Sequence, residues 1–264
     1  MNLHLEGKTA LVTASTAGIG FAIVQALAEE AVEVIVNGRT PERVEQARQR
    51  IAAEVPHSRT SGIAADLSTA SGVQQVTDRF GTVDILVNNL GIFDVKPFPE
   101  IDDAEWFRFF ETNLMSGVRL SRHYLPRMKK NNWGRIVFIS SESGLHIPME
   151  MIHYGVTKTA QIALARGLAE TTRGTGVTVN SVLPGPTRSE GIGTFIENLA
   201  KEQNATQKDV EEQFFEDMRP TSLIQRFADT REVANLVTYV CSPLSSATNG
   251  AALRVDGGVV RAIP

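Results

Sequence analysis

The feature that most restricts how this chain can fold is an alternation between two hydrophobic periods. Seven short runs, "TALVT" (9–13), "VEVIVN" (32–37), "SGIAA" (61–65), "VDILVN" (83–88), "RIVFIS" (135–140), "VTVNSV" (177–182) and "AALRVD" (251–256), are mostly apolar, β-branched and without strict polar alternation. Such runs suit strands covered on both faces. Between them lie segments of helical period near 18–30, 41–54, 69–80, 103–130, 153–173 and 230–241. Pro41 suits a first helical position, and Asp102 and Asp229 each stand three residues before a glutamate, the spacing of a capping box. Repeated strand–helix–strand units predict a parallel sheet of about seven strands with right-handed crossovers and helices on both faces, a doubly wound α/β fold. Ligands of such folds lie at the carboxyl ends of the strands.

The alternation breaks once. Residues 184–228 follow the sixth run with no strand signal of their own. Within them Thr206 is placed to cap a short helix carrying Val210, Phe214 and Met218 on one face. An insertion at a strand's carboxyl end is a natural substrate lid, and a surface excursion or an oligomer contact are the alternatives. No repeat or low-complexity linker divides the chain, so 1–264 reads as a single domain.

Composition removes several function classes. A hydrophobic content of 42% and a charged content of 21% are those of an ordinary globular protein, which excludes disordered and fibrous classes. The formal charge of −4 offers no basic field to a polyanion, so no nucleic-acid partner is expected. A lone cysteine, Cys241, excludes an intrachain disulfide and a multi-cysteine metal site, and the five histidines lack metal-ligand spacing. No basic segment followed by an apolar core opens the chain and no apolar run reaches the length of a membrane span; the expected location is cytoplasmic.

Two stretches carry chemistry. "HYGVTK" (153–158) sets Tyr154 and Lys158 one helical turn apart. A phenol of ordinary pKa, about 10, exchanges protons sluggishly at neutral pH, and a nearby ammonium favours the phenolate. "TASTAGIG" (13–20) joins the first strand to the first helix with small residues that let a pyrophosphate approach the backbone and the helix N-terminus. The strict G-x-G-x-x-G pattern is absent, and tight packing of strand on helix would call for the same residues.

Together with "NNLG" (88–91), these stretches resemble the marks of the short-chain dehydrogenase/reductase family: a TGxxxGxG turn after the first strand, an NNAG at the fourth, and Tyr-x-x-x-Lys opening a later helix. The chain resembles that family over essentially its whole length, with Ala14 where the family has its first glycine and Leu90 where it has alanine. "YGVTK" matches fully, and "LPGPT" (183–187) and "NGAALRVDGG" (249–258) fall where the family has its PG turn and last strand. The resemblance implies a Rossmann-type fold that holds a nicotinamide dinucleotide. It assigns that cofactor to Ala14, Ser15, Thr16, Gly18, Ile19 and Gly20 in the first turn and to Asn37, Gly38 and Arg39 after the second strand. Asp66 and Leu67 fall at the adenine edge; Asn88, Asn89 and Gly91 at the end of strand four, near the adenosine ribose; Pro184, Gly185 and Thr187 at the nicotinamide end. Ala14 suits the turn unless a positive φ is required there, where its Cβ costs about 1 kcal/mol. Enzymes that use NAD usually hold a carboxylate after the second strand for the ribose 2′-hydroxyl. Here Gly38 fills that position and Arg39 follows, so a 2′-phosphate meets a guanidinium, and NADP(H) is expected in preference to NAD(H).

At the reacting end the resemblance names Tyr154 as general acid/base, Lys158 as the cation that lowers its pKa, and Ser141, thirteen residues before Tyr154, as the hydroxyl that holds the substrate oxygen. Asn113, an unfavourable residue in a helix interior, becomes the one that distorts the helix and anchors a water linked to the lysine. The expected pocket walls are Leu90, which narrows the pocket, with Phe93, His146, Met149, Met151 and the segment 184–228. The implied reaction interconverts a small, uncharged ketone or aldehyde and an alcohol, in a homo-oligomer, tetramer or dimer. A 3-oxoacyl-thioester reductase, an epimerase working by transient oxidation, and a non-catalytic dinucleotide sensor on the same fold remain open.

Overall fold

Each of the seven apolar runs becomes a strand of one parallel sheet. The computed structural model describes residues 2–263, the side chains of Phe195 and Asn198 apart. The central strands are β1 (Thr9–Val12), β2 (Glu33–Gly38), β3 (Thr60–Ala64), β4 (Ile85–Asn88), β5 (Gly134–Ile139) and β6 (Val177–Pro184), with β9 (Ala252–Val255) at one edge. Their order is β3-β2-β1-β4-β5-β6-β9. Every pairing is parallel, as the doubly wound expectation requires. The order reverses between β1 and β4, which opens a crevice at the carboxyl ends of those two strands.

Helices α1 (Gly18–Glu29), α2 (Pro41–Glu54) and α9 (Thr230–Cys241) cover one face of the sheet; α3 (Ala70–Arg79), α5 (Ser116–Lys130) and α6 (Ile152–Glu170) cover the other. Successive strand residues feed opposite cores. Ala10 and Val12 pack with Leu27, Ile51 and Val237, while Leu11 packs with Val76, Leu120 and Tyr124. Full burial of such aliphatic side chains contributes about 1.5–3 kcal/mol each. Helix starts follow their sequence signals: Thr40 precedes Pro41 and accepts from Arg43 N, Asp102 accepts from Glu105 N at 2.8 Å, and Glu232 accepts from Asp229 N at 2.8 Å.

The long helical segment 103–130 is interrupted. α4 (Asp103–Phe109) passes into a π-helical turn, Phe110–Met115, before α5 begins. The insertion 184–228 also differs from expectation, since it does hold strand. β7 (Thr187–Arg188) pairs in parallel with β8 (Ala228–Asp229), so a two-residue ladder pins both ends of the segment together. Between them lie α7 (Glu190–Gln203), which the sequence reading did not anticipate, and α8 (Gln207–Gln213), capped by Thr206 in a reciprocal box with Asp209. A second π-helical turn, Phe214–Met218, rotates the register that follows. Val210 therefore packs with a fully buried Phe215 in a separate core with Ile196, Ala200 and Phe227, while Phe214 packs at its partly buried margin. Phe214 and Met218 turn toward the cavity described next.

Candidate active site

A cavity of about 350 Å³ lies at the carboxyl ends of the central strands. Its floor comes from Ile139–Ser143 after β5, one side from Asn89–Val95 after β4, and another from Pro184–Thr187 after β6. The insertion supplies the roof through Ser189, Ile192, Phe214, Met218 and Arg219. Tyr154, Lys158 and Ser141 all open onto this space.

The turn before α1 is built to present bare backbone. Ser15 is fully buried, with its hydroxyl on the Val12 carbonyl at 2.7 Å, and Asn37 Oδ1 accepts from Ala14 N at 3.0 Å. Asn89 Nδ2 donates to the carbonyls of Thr13 and Ala14 at 3.0 and 3.1 Å. Ala14 adopts φ +50°, so the condition under which its Cβ is costly is met, and glycine would relieve about 1 kcal/mol there. A Cβ on Gly20 would lie 2.5 Å from the Ala14 carbonyl oxygen and from Asn89 Nδ2, so only glycine permits this close turn. The first turn of α1 has no side-chain cap and no acidic residue, which leaves its N–H groups available to an anion.

Around this turn three assigned contacts need correction. Asn37 is buried and spends its amide on Ala14, Ile63 and Ala65, so it braces the turn and has no group left for a ligand. Leu67 points into the core beside Val73 and Val76, so its side chain is not placed to meet a ligand. Ser15 is likewise internal bracing. Asp66 is exposed and accepts from Ser68 N and Oγ at 3.0 and 2.7 Å. Arg39 is exposed beyond β2 with no ion pair among the described residues. Thr16 fills the space that a side chain on Gly38 would take.

On α6, Lys158 is buried and its Nζ donates to the Ile139 carbonyl at 2.9 Å. Asn113 reaches the same place from the π-helical turn, a local helix distortion of the kind expected at this position. Its side chain clamps Ile92, accepting from the amide at 2.8 Å and donating to the carbonyl at 3.0 Å, and donates also to Thr157 Oγ1 at 3.0 Å. Its backbone carbonyl accepts from Gln161 Nε2 at 2.5 Å. Asn113 thus fixes the strand-four loop against α6; a Cβ on Gly91, in that loop, would lie 3.3 Å from Lys158 Nζ and 3.6 Å from Asn113 Oδ1.

In the ligand-free site, burial opposes the effect on the phenol that the sequence suggests for the lysine. Burial pushes Tyr154 well above the ordinary phenol value; the Glu142 carboxylate adds to this, and the Ser141 hydroxyl and Arg219 oppose it. Lys158 Nζ is 5.5 Å from the centroid of the Tyr154 ring, and burial holds it down to about 7, against a pull from Glu142. The lysine pays for its position in stability. With a folded pKa below the unfolded one, the cost is fully present below about pH 7 and disappears as pH rises toward the unfolded value of 10.5. Lys158→Met is expected to stabilise the ligand-free protein by about 2–4 kcal/mol at neutral pH. In denaturant titrations that gain should shrink steadily as pH rises from 7 to 10.5.

The walls are partly those expected. Phe93 meets the Tyr154 ring edge-on at 6.3 Å, and Met151 lines the cavity just before α6. Three others are misplaced. Leu90 packs on the second core and does not narrow the pocket, whereas His146 and Met149 face outward, Met149 being 85% exposed. His153 is buried against Phe109, ring centroids 3.9 Å apart, behind the helix. Sequence reasoning missed the charged group on the wall. Glu142 is buried, accepts from the Ser141 hydroxyl through Oε2 and from Arg219 Nε through Oε1 at 3.1 Å, while Arg219 Nη1 donates to Glu150 at 3.2 Å. The signal available for Glu142 was an acid placed directly after Ser141 in an otherwise neutral stretch. Among the described residues no His/Cys/Asp/Glu group is set to hold a metal, and no helix is long and apolar enough to cross a membrane.

Comparison with known proteins agrees with this geometry. The family model described as short chain dehydrogenase matches residues 8–200. The chain is 49% identical over 263 residues to the uncharacterized oxidoreductase YvaG of Bacillus subtilis, covering 100% of both. It is 32% identical to the 3-oxoacyl-[acyl-carrier-protein] reductase FabG of Aquifex aeolicus, covering 98% of this chain and 100% of that one. Among solved structures, the L-sorbose reductase of Gluconobacter frateurii complexed with NADPH and L-sorbose superposes with a TM-score of 0.93 at 28% identity over 100% of both chains. The chain belongs to the short-chain dehydrogenase/reductase family and is an oxidoreductase.

Proposed function

We propose that the protein is an NADP(H)-dependent reductase of small uncharged ketones or aldehydes, able to oxidise the corresponding alcohols in reverse. The observation that carries this reading is the convergence of Ser141, Tyr154 and Lys158 on one cavity beside a glycine turn that leaves a helix N-terminus bare. The turn fits a dinucleotide pyrophosphate, because Gly20 leaves room where any Cβ would collide and the first N–H groups of α1 lack partners of their own. When bound, the nicotinamide supplies hydride to a carbonyl carbon or accepts it from an alcohol.

The chain's own residues manage the oxygen. Ser141 and the Tyr154 hydroxyl hold the substrate oxygen between them, and Tyr154 donates its proton as negative charge develops there. The phenol is protonated at neutral pH; burial makes it a weaker acid in the ligand-free site, and a cationic Lys158 ammonium 5.5 Å from the ring works against that. Lys158 holds its ammonium behind the phenol and refills the proton, and Asn113 keeps the strand-four loop from closing over that path. Arg39, beyond β2 in place of an acid, favours the 2′-phosphate of NADP(H). The segment 184–228 acts as a lid over the substrate.

The wall charges support an uncharged substrate. Arg219, the cation on the roof, is already held by Glu142 and Glu150 and so is not free for a substrate carboxylate. The 3-oxoacyl-thioester reading draws on the relative at 32% identity. NADPH consumption measured against a panel of neutral ketones, hydroxyketones, 3-oxo acids and a 3-oxoacyl thioester decides between them. Turnover of the neutral members is expected, and turnover confined to the acid or thioester members would overturn the proposed substrate class.

A further inference from the structure

The Ser141 hydroxyl has one hydrogen and two claims on it. In the ligand-free structure that hydrogen goes to Glu142 Oε2, while Ser141 Oγ accepts from Ser143 N at 3.1 Å. A substrate carbonyl and an ionised carboxylate are both acceptors only, so Ser141 cannot donate fully to the two together. When it turns to a substrate carbonyl, Glu142 Oε2 loses its donor. That loss falls on a carboxylate that is only 4% exposed, where an unpaired charge is costly. The other carboxylate oxygen stays engaged, since Oε1 accepts from Arg219 Nε at 3.1 Å. Two further donors of this region are turned elsewhere. Ser140 Oγ donates to the Lys158 carbonyl at 2.8 Å, and Arg219 Nη1 donates to the Met218 carbonyl at 2.7 Å and to Glu150 at 3.2 Å.

We propose that Glu142 is a specificity residue that accepts the hydroxyl of an α-hydroxyketone or α-hydroxyaldehyde, whose O–H takes the place of the Ser141 hydrogen on Oε2. The inference rests on the reductase reading above and narrows its substrate class. An α-hydroxycarbonyl compound carries an acceptor and a donor on adjacent carbons, so its two oxygens lie about as far apart as two hydrogen-bonded oxygens, roughly 2.8 Å. Ser141 Oγ and Glu142 Oε2 form such a pair on the protein side. The substrate carbonyl oxygen meets Ser141 and Tyr154 and the substrate hydroxyl meets Glu142, all three residues lining one cavity. A plain ketone of the same shape engages Ser141 only by stranding the carboxylate. Discrimination through a buried polar group left unpaired is stronger than discrimination by apolar fit. Arg219 holds the carboxylate from the roof, so the acceptor is in place before substrate enters. The reaction balances without Glu142 changing protonation. The carbonyl carbon takes a hydride from the bound dinucleotide and its oxygen takes the Tyr154 proton, so the substrate becomes a vicinal diol as NADPH becomes NADP⁺. The neighbouring hydroxyl keeps its hydrogen throughout.

The test compares kcat/KM with NADPH for hydroxyacetone, acetone and fluoroacetone. Fluoroacetone is close to hydroxyacetone in size and withdraws electrons more strongly, but it has no hydrogen to give. Hydroxyacetone should exceed both by about 10- to 100-fold, the range for a hydrogen bond to a charged group. Glu142→Leu removes the acceptor and should bring the hydroxyacetone-to-acetone ratio close to unity. Glu142→Gln keeps the size of the side chain. Arg219 Nε–H then selects the amide oxygen and turns the NH₂ group toward the place where the carboxylate accepted, so the ratio should again fall severalfold. A role in folding alone would lower both rates together and leave the ratio unmoved. Hydroxyacetone no faster than acetone or fluoroacetone, or a preference that survives both Glu142 variants, overturns the inference and leaves the reductase reading standing. Failure to turn over any carbonyl compound overturns that reading and the inference with it. Should neither variant fold, the three-substrate comparison in the wild-type protein decides.

Discussion

Tyr154→Phe should lower kcat for carbonyl reduction by roughly 10²–10⁴-fold while leaving NADPH affinity unchanged. The substitution removes one oxygen and keeps the ring that meets Phe93 edge-on, so the cavity wall survives. Only the proton is lost. The developing alkoxide would then lose its proton donor and keep the Ser141 hydroxyl, which must turn from Glu142 to hold it. Single-turnover measurements with saturating NADPH separate this effect from binding. An unchanged kcat in the variant would remove Tyr154 from the mechanism, and a parallel loss of NADPH binding would make it structural.

The second large effect concerns the cofactor. Arg39→Ala should weaken NADPH binding by about 10- to 100-fold, the worth of a charge-assisted contact to a phosphate, and leave NADH binding nearly unchanged. Arg39→Glu should reverse the preference by adding the carboxylate that the turn lacks. The position favours a clean result, since Arg39 is exposed and makes no ion pair among the described residues, so its removal unpicks nothing else. Titration of cofactor fluorescence for both dinucleotides measures the ratio. Equal losses for NADPH and NADH would point to a general loop effect and would refute discrimination at the 2′-phosphate.

Sequence patterns gave most of the fold because the sheet is covered on both sides, and continuous β-branched runs are hard to use any other way. β5 and β6 begin and end within two residues of the runs that predict them. Local signals also served well where one residue settles a backbone choice, as with Pro41 and the Thr206–Asp209 box. Failures came where packing overrides local pattern. The π-helical turn at Phe214–Met218 buries Phe215 in the core and sets Phe214 at its margin facing the cavity, and no periodicity argument anticipates one inserted residue. The two-residue ladder between Thr187 and Ala228 is too short to leave a propensity signal.

At the site, the side chains grouped by motif were found together, while of those assigned as pocket walls Phe93 and Met151 line the cavity and Leu90, His146 and Met149 do not. Tyr154, Lys158 and Ser141 share the cavity, but Met149, in a turn before α6, faces outward and Leu67 faces the core. Asn37, expected at the cofactor, braces the turn before α1, and the Asn113 side chain satisfies the backbone of Ile92 in the strand-four loop. The Glu142–Arg219 pair was illegible for another reason. Its members lie 77 residues apart and meet only because the insertion folds back over β5. Within the ligand-free cavity, burial and the Glu142 carboxylate raise the phenol's proton affinity, and the Ser141 hydroxyl and Arg219 oppose them.

The most direct test of the whole account follows a labelled hydride. Reduction of a neutral ketone with NADPH deuterated at the transferring position of the nicotinamide, analysed by mass spectrometry, should give an alcohol carrying one deuterium on the former carbonyl carbon. The hydroxyl hydrogen should exchange with solvent. Product lacking the label, or oxidation of the dinucleotide with no alcohol formed from any carbonyl compound, would contradict the assignment of this cavity as a hydride-transfer site.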